Sequence, residues 1–286
     1  MGLSWLDYLA PGLHIAPDKE PGVPVRNYID QSQEFGLAVF ALAPLVLIYI
    51  RQRRTALAVA CGALLLGFLA NMAFVVVART AFIFIPVLVV AFAFRFFSPR
   101  ARNIALVAAV GVATLAMVGS PYLRYRVERT IHDYRLNEST DIATSFGERL
   151  FYWRSSIRSI EEAPLFGHGT GSTKQIFERE AGGKSGEWAN LIRNPHNQTL
   201  YVAVQWGLLG VILLWVMWYY HLTLFLEPTL VSWIGFIVVV QNIVSSLLNS
   251  HLFDFHEGWL YVLGVGVAGG TVLAKRRLER SGESGG

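Results

Sequence analysis

The segment Arg193 to Gly210 reads R-N-P-H-N-Q-T-L-Y-V-A-V-Q-W-G-L-L-G, a polar stretch that runs straight into an apolar one. Asn194 is a helix-capping type and Pro195 suits a first helical position, which predicts His196 in the first turn of a helix. The unpaired N–H groups and dipole of such a turn attract anions and disfavour imidazolium. A neutral imidazole there would act as a general base near neutral pH, beside a phosphate group at a membrane surface. The alternative is a histidine that merely sits at the interface. A second group is Arg79, the one formal charge between Thr55 and Phe94, in V-V-V-A-R-T-A-F-I-F. It reads either as a snorkelling anchor or as an anion ligand facing a helix bundle. A third is Arg149, placed by the capping-box pattern Ser145-Phe-Gly-Glu148 in the first turn of a helix, close to any ligand at that helix end.

The elements that must position these residues are membrane helices. With 53% hydrophobic and only 15% charged residues over 286 positions, the chain cannot hide its apolar runs in one water-soluble core. Seven such runs occur, at 35–50, 55–74, 76–94, 103–119, 197–220, 229–248 and 258–274, each near the ~20 residues a bilayer core requires. Lipid leaves backbone groups no partner but their own helix, so the expected fold is an all-α polytopic membrane protein with about seven transmembrane helices. Clusters at Arg51, Arg53 and Arg54, at Arg95, Arg100 and Arg102, and at Lys275, Arg276, Arg277 and Arg280 fall in alternate connections and belong inside. That rule leaves the N-terminus, the 249–257 turn and the long segment 120–196 outside. The division of the chain is therefore an external segment 1–34, four spans over 35–119, a large, partly helical external loop over 120–196, three spans over 197–274, and an internal tail over 275–286.

The net charge of +4 comes from those short clusters and reports topology, so nucleic acid is not an expected partner. Within 120–196, eleven basic residues face ten acidic ones, which excludes a polybasic arm. Leu150, Trp153, Ile157 and Ile160 recur at helical steps and predict one face packed on something apolar, while Arg154 and Arg158 share another face. Pro164-Leu-Phe-Gly-His-Gly-Thr-Gly171 ends that helix as a turn, with a glycine phosphate cradle as the alternative, and Ser172-Thr-Lys-Gln175 reads as a second capping box. Pro17, Pro21 and Pro24 predict irregular chain before the first span, without the pattern of a signal peptide.

Other chemistries find little support. His251, Asp254, His256 and Glu257 gather metal-ligand types in one turn, but a metalloprotease needs H-E-x-x-H and Leu260 stands four residues after His256. The turn is read as an interfacial loop, and no metal is assigned. Cys61 is the lone cysteine, so neither a disulfide framework nor a thiolate metal site is available. A serine-hydrolase G-x-S-x-G elbow is missing.

A-R-T-A at the start of a span, then G-E-R-L-F-Y-W-R followed by A-P-L-F-G-H-G-T-G, then N-P-H-N-Q-T-L-Y-V-A-V-Q-W-G-L-L-G, resemble in that order the O-antigen ligase and polymerase superfamily. N-Y-I-D-Q-S-Q-E-F, Asn27 to Phe35, also looks like the stretch before a middle span in some members. The resemblance implies an inverting, metal-independent membrane glycosyltransferase that needs no cofactor. It would take a glycan from an undecaprenyl-pyrophosphate carrier to an acceptor hydroxyl on the outer, periplasmic face of the bacterial inner membrane. The expected partners are the lipid-linked oligosaccharide donor and an acceptor. That acceptor is lipid A-core in ligases, another carrier-linked repeat in polymerases and a protein serine in some members, with ligase preferred here. By motif position, Arg79, Arg149 and His196 match the span-start arginine, the loop arginine and the loop-end histidine, as catalytic residues. Arg154, Arg193 and Asn197 are candidates for substrate binding, either arginine being an alternative to Arg149. Members commonly have more spans than this chain, so the resemblance also implies that upstream spans are missing, the alternative being a compact variant. From another class, a transporter of lipid-linked sugars would keep ionisable residues near the bilayer midplane, whereas here they gather in the loop. A non-catalytic scaffold would leave His196 and the loop arginines freely replaceable.

Overall fold

Lipid-compatible helices account for most of the chain. The structure is a computed structural model that describes residues 1–10, 12, 15, 19–25, 27–139, 145–182 and 194–283. Among these the protein is all-helical: α1 Gly2–Leu9, α2 Tyr28–Arg51, α3 Thr55–Phe74, α4 Ala81–Phe96, α5 Pro99–Gly119, α6 Pro121–Ser139, α7 Ser145–Glu162, α8 Thr173–Ala181, α9 Gln198–Leu224, α10 Leu230–Ser245 and α11 Phe255–Glu283. Helices α2, α3, α5, α9 and α11 are long and apolar enough to cross a membrane. Helices α4 and α10 are as apolar but only 16 residues long, a rise of about 24 Å against a bilayer core of about 30 Å. No residue of α5 is buried, and Ile104, Val107 and Leu115 are 70%, 74% and 72% exposed. Such a helix needs lipid around it. The chain is a multi-pass membrane protein.

Two compact units divide the described chain. The first comprises Met1–Arg126, Leu224–Gln241 and Leu260–Gly286; the second comprises Val127–Thr223 and Asn242–Trp259.

In the first unit, Asn27 caps α2 by accepting from the amides of Ile29 at 2.8 Å and Asp30 at 3.0 Å. The apolar run expected to begin at 35 is therefore the continuation of a helix that starts at Tyr28, because this cap and a buried polar first face stabilise two further turns. The segment ahead of it is not wholly irregular either, since α1 occupies Gly2–Leu9. Gln31 donates to Ser4 Oγ at 3.2 Å and to Gly22 O at 3.0 Å, and Asn71 donates to Ser4 Oγ at 2.9 Å. Further along α2, the indole of Trp233 donates to Phe40 O at 2.7 Å and Gln241 donates to Gln33 O at 2.8 Å. These bonds tie α10 to α2 through buried polar groups that would otherwise be unsatisfied. Two arginines read from sequence as topology markers have fixed partners: Arg95 donates to Phe225 O at 3.2 Å and Arg276 pairs with Glu227 at 2.6 Å.

The span expected at 76–94 begins only at Ala81. Val75 to Thr80 is non-helical, and two of its amides are claimed from outside: Val77 N donates to the Tyr122 hydroxyl at 3.0 Å and Ala78 N to Ser32 Oγ at 2.8 Å. Gln33 donates to Thr80 Oγ1 at 3.3 Å. Arg79, half-buried, thus projects from a turn gripped on both sides by the polar start of α2.

Candidate active site

Within the second unit, the candidate residues are positioned by α7, α8, α9 and the segment Asn242–Trp259 that joins α10 to α11. Helix α7 packs only in part through the face its apolar periodicity predicts: Ile160 lies against a buried apolar cluster and Leu150 and Trp153 are half-buried, but Ile157 is 50% exposed. The buried face is Tyr152, Ser155, Ser156 and Ser159, each at most 2% exposed, because small serines allow close approach where isoleucine would hold the neighbour away. Tyr152 joins Ile176, Phe177 and Val204 in one apolar cluster. Arg158 pairs with Glu180 at 3.0 Å and Arg179 with Glu162 at 3.1 Å, so α7 and α8 are also tied by charge. Ser172 precedes α8, but its side chain makes no cap bond and its backbone is already helical, so the second capping box does not form.

Helix α9 is interrupted at Gly207, whose φ of 60° and ψ of −156° are open only to glycine. The break is filled by the loop Pro164–Gly171. Leu208 N and Leu209 N donate to the carbonyls of Pro164 at 2.8 Å and Leu165 at 3.3 Å. In return, Val204 O and Gln205 O accept from His168 N and Gly169 N, both at 2.9 Å. In a regular helix these carbonyls would bond the amides of residues 208 and 209, so the loop replaces the two helical bonds that the kink removes. Gln205 Oε1 also accepts from Gly171 N at 2.7 Å, and the ring of His168 donates through Nε2 to Ser159 O at 2.7 Å. A Cβ on Gly167 would lie 2.5 Å from Gln205 C, which explains the glycine there. The glycine-rich segment is therefore a docked turn: the amides of residues 168, 169 and 171 are committed to α9, where a phosphate cradle would need them.

His196 stands just ahead of α9. Its place differs from the expected first helical turn, since α9 starts at Gln198 and the capping residue is Asn197, whose Oδ1 accepts from Leu200 N at 3.0 Å. Asn194 Oδ1 instead accepts from His196 N at 2.8 Å, closing a small turn that holds His196 in the left-handed region at φ 52°. Pro195 lies outside the helix, and its carbonyl accepts from the Trp153 indole at 3.0 Å. The His196 ring centre is 6.4 Å from that of Tyr152. Trp153 and Tyr152 belong to the same helix as Arg149, so α7 carries its arginine, its aromatic prop and its hydrogen-bond donor to one place.

Four bonds join this motif to the turn that follows α10. Gln198 N donates to Ser246 O at 2.9 Å, Asn197 Nδ2 donates to Leu247 O at 3.0 Å, and Leu252 N donates to Gln198 Oε1 at 3.0 Å. His196 Nδ1 lies 2.9 Å from Asn249 Oδ1. Asn249, 53 residues from His196 in the chain, carries no motif that sequence reasoning could use.

Burial is the main cause that holds the His196 pKa below the ordinary histidine value of 6.5, and the neighbouring Arg149 charge pushes the same way, as does His251 more weakly. The hydrogen bond to Asn249 and the charge of Asp254 oppose them without reversing the direction. Near neutral pH the imidazole is neutral for reasons of burial and charge, more than of helix dipole. His251, Asp254 and Glu257 bring one nitrogen and two oxygens within 4.8 Å of one another, donor types that suit a divalent cation, while His256 is outside the group. His251 Nδ1 is 3.6 Å from Asp254 and 3.8 Å from Glu257, wider than the roughly 3.4 Å between ligands on a tetrahedral zinc with bonds near 2.1 Å.

The second unit thus brings together His196, Arg149 and Asn197. Both ends of the Asn197 side chain are engaged with backbone of this unit. Arg154 is exposed on α7, Arg79 belongs to the first unit, and Arg193 lies outside the described residues. The Ser145 side chain, and with it the first capping box, also lies outside the description, although α7 does begin at that residue.

Residues 64–215, which hold every one of these candidates, match the model of the O-antigen ligase family over more than half of the chain. The chain belongs to this family. It is also 29% identical over 147 residues to an uncharacterized protein of Haemophilus influenzae, a match covering 48% of this chain and 36% of that relative. The chain therefore spans about a third of the relative it matches.

Proposed function

We propose that this protein transfers a glycan from an undecaprenyl-pyrophosphate carrier to an acceptor hydroxyl at the periplasmic face of the bacterial inner membrane, as an O-antigen ligase whose acceptor is lipid A-core. The observation that carries this reading is His196: a neutral, largely buried imidazole held on a braced turn within the field of Arg149. His196 takes the acceptor proton, which makes the hydroxyl oxygen nucleophilic. That oxygen attacks the sugar C1 from the face opposite the carrier, and the configuration inverts. The C1–O bond to the pyrophosphate breaks, and its electron pair leaves with the phosphate oxygen. Guanidinium groups match that growing charge in sign and geometry, which is the role of Arg149 and Arg79, with Arg154 and Arg193 as alternatives to Arg149 and Asn197 on the substrate. No metal or cofactor is required by this chemistry, because the leaving group carries its own activation. Seven crossings go with it, α4 and α10 being lengthened across the bilayer by the non-helical 75–80 and 246–250 segments, which protein rather than lipid satisfies.

The test is glycan transfer by membranes containing the full chain, from an undecaprenyl-pyrophosphate oligosaccharide to lipid A-core. His196→Ala is expected to lower the rate about a hundredfold or more, the usual scale for a general base. Wild-type rates in His196→Ala would refute the base, and wild-type rates in Arg149→Gln or Arg79→Gln would refute each anion role. Transfer to a second carrier-linked glycan instead of lipid A-core would make the enzyme a polymerase, and transfer to a protein serine would make it a protein glycosyltransferase.

A further inference from the structure

The two nitrogens of His196 are not equivalent. Nδ1 lies 2.9 Å from Asn249 Oδ1. A carboxamide oxygen has no proton to give, so this bond requires the proton to be on Nδ1. A neutral imidazole carries one N–H, and Nε2 is then left with its lone pair. Asn249 is itself only 6% exposed, and its segment is fixed on either side by the bonds that Ser246, Leu247 and Leu252 make to Asn197 and Gln198. The bond therefore joins two rigid turns, one of which holds His196 at a φ of 52° that fixes where the ring starts from the backbone.

We propose that Asn249 is a positioning residue that holds His196 in the Nδ1–H tautomer and so presents a bare Nε2 as the base. The proposal rests on the reading of His196 as the base. The acceptor O–H proton passes to Nε2, the Nδ1 proton stays on its bond to Asn249, and the oxygen keeps the electron pair that forms the new bond to C1. An amide suits this place better than a carboxylate. It selects the tautomer without adding a full negative charge to the groups that already face the ring, which are Arg149 from α7 and His251 and Asp254 from the turn, with Glu257 beside His251.

The experiment uses the full chain labelled with ¹⁵N-histidine in lipid nanodiscs, the His196 signals being identified by their loss in His196→Gln. Wild type is expected to show a protonated Nδ1 and a bare Nε2. Asn249→Asp should keep that tautomer and move its protonation midpoint upward, because a carboxylate stabilises imidazolium. Asn249→Leu should lose the preference and lower kcat for glycan transfer about tenfold or more, the scale of one such bond, with KM little changed. A bare Nδ1 in wild type would overturn the proposal, since the amide would then be donating its N–H. So would an Asn249→Leu protein with unchanged tautomer and kcat. If Asn249→Leu does not fold, the wild-type and Asn249→Asp spectra decide alone. Should His196→Gln transfer glycan at the wild-type rate, the base reading falls, while the spectra still decide whether Asn249 sets the tautomer.

Discussion

Gly207→Ala tests whether the kink in α9 and the loop Pro164–Gly171 are one device. At Gly207 a Cβ would lie 2.4 Å from Leu165 C and 2.5 Å from Leu165 O, both backbone atoms that no rotamer change can move aside. The backbone angles alone cost a non-glycine residue about 1–3 kcal/mol. Relieving the contact means separating the strands of chain that carry four hydrogen bonds, at ~0.5–1.5 kcal/mol each. The alternative is for α9 to straighten, which restores the bonds from residues 204 and 205 to 208 and 209 and leaves the loop undocked. A loss of about 2–4 kcal/mol follows from about 1–3 kcal/mol for the angle and about 1 kcal/mol for the weakest pair of those bonds. The assay is thermal unfolding in detergent, with hydrogen exchange of the His168 and Gly169 amides, which should lose protection in the variant. Gly62→Ala and Gly111→Ala, where an added Cβ meets nothing within 4 Å, serve as controls and should cost nothing or stabilise slightly. A Gly207→Ala protein with wild-type stability and protected amides at residues 168 and 169 would refute the coupling.

Transfer should retain its rate below pH 6.5, the ordinary histidine value, and Arg149→Gln should move the acidic limb of its pH profile upward, because removing that cation removes one of the causes that lower the His196 pKa; an unmoved limb argues that Arg149 does not face the ring. His196→Gly and His196→Ala should both lose transfer, but the glycine variant should unfold at higher temperature by the equivalent of about 1 kcal/mol, since φ 52° strains alanine and not glycine; equal stability would contradict the left-handed turn. Ser32→Ala removes the acceptor of the buried Ala78 amide and should cost about 1–3 kcal/mol, read from unfolding in detergent. Its transfer rate should fall as well if the Arg79 turn needs that anchor.

Much of the secondary structure was legible because it follows from local constraint. Seven apolar runs became seven helices, with ends displaced where a side chain from elsewhere claimed an amide, as Ser32 does for Ala78 and Tyr122 for Val77. Periodicity was right only in part on α7, where Ile160 packs on the apolar cluster but Ser155, Ser156 and Ser159 are buried and Ile157 is not. Burial there is decided by how closely a neighbouring helix approaches, a quantity that hydrophobicity does not encode.

At the site, the residues and their motifs could be read directly, but their arrangement could not. His196 and Arg149 carry recognisable chemistry in the chain. Asn249 does not, because an asparagine acquires a role only when another segment places a ring nitrogen against it.

Composition and run length by themselves determined that this is a helical membrane protein, since apolar surface and unpaired backbone groups leave no other solution in lipid. Motif order by itself determined the family. Tertiary structure alone decided that α9 breaks at Gly207 and that a loop 40 residues away completes it, because the bonds that stabilise the break come from the other partner. It alone decided, too, that His196 is kept neutral by burial and held through Asn249, because the dielectric and the hydrogen bonds around a ring belong to the fold and not to its sequence neighbours.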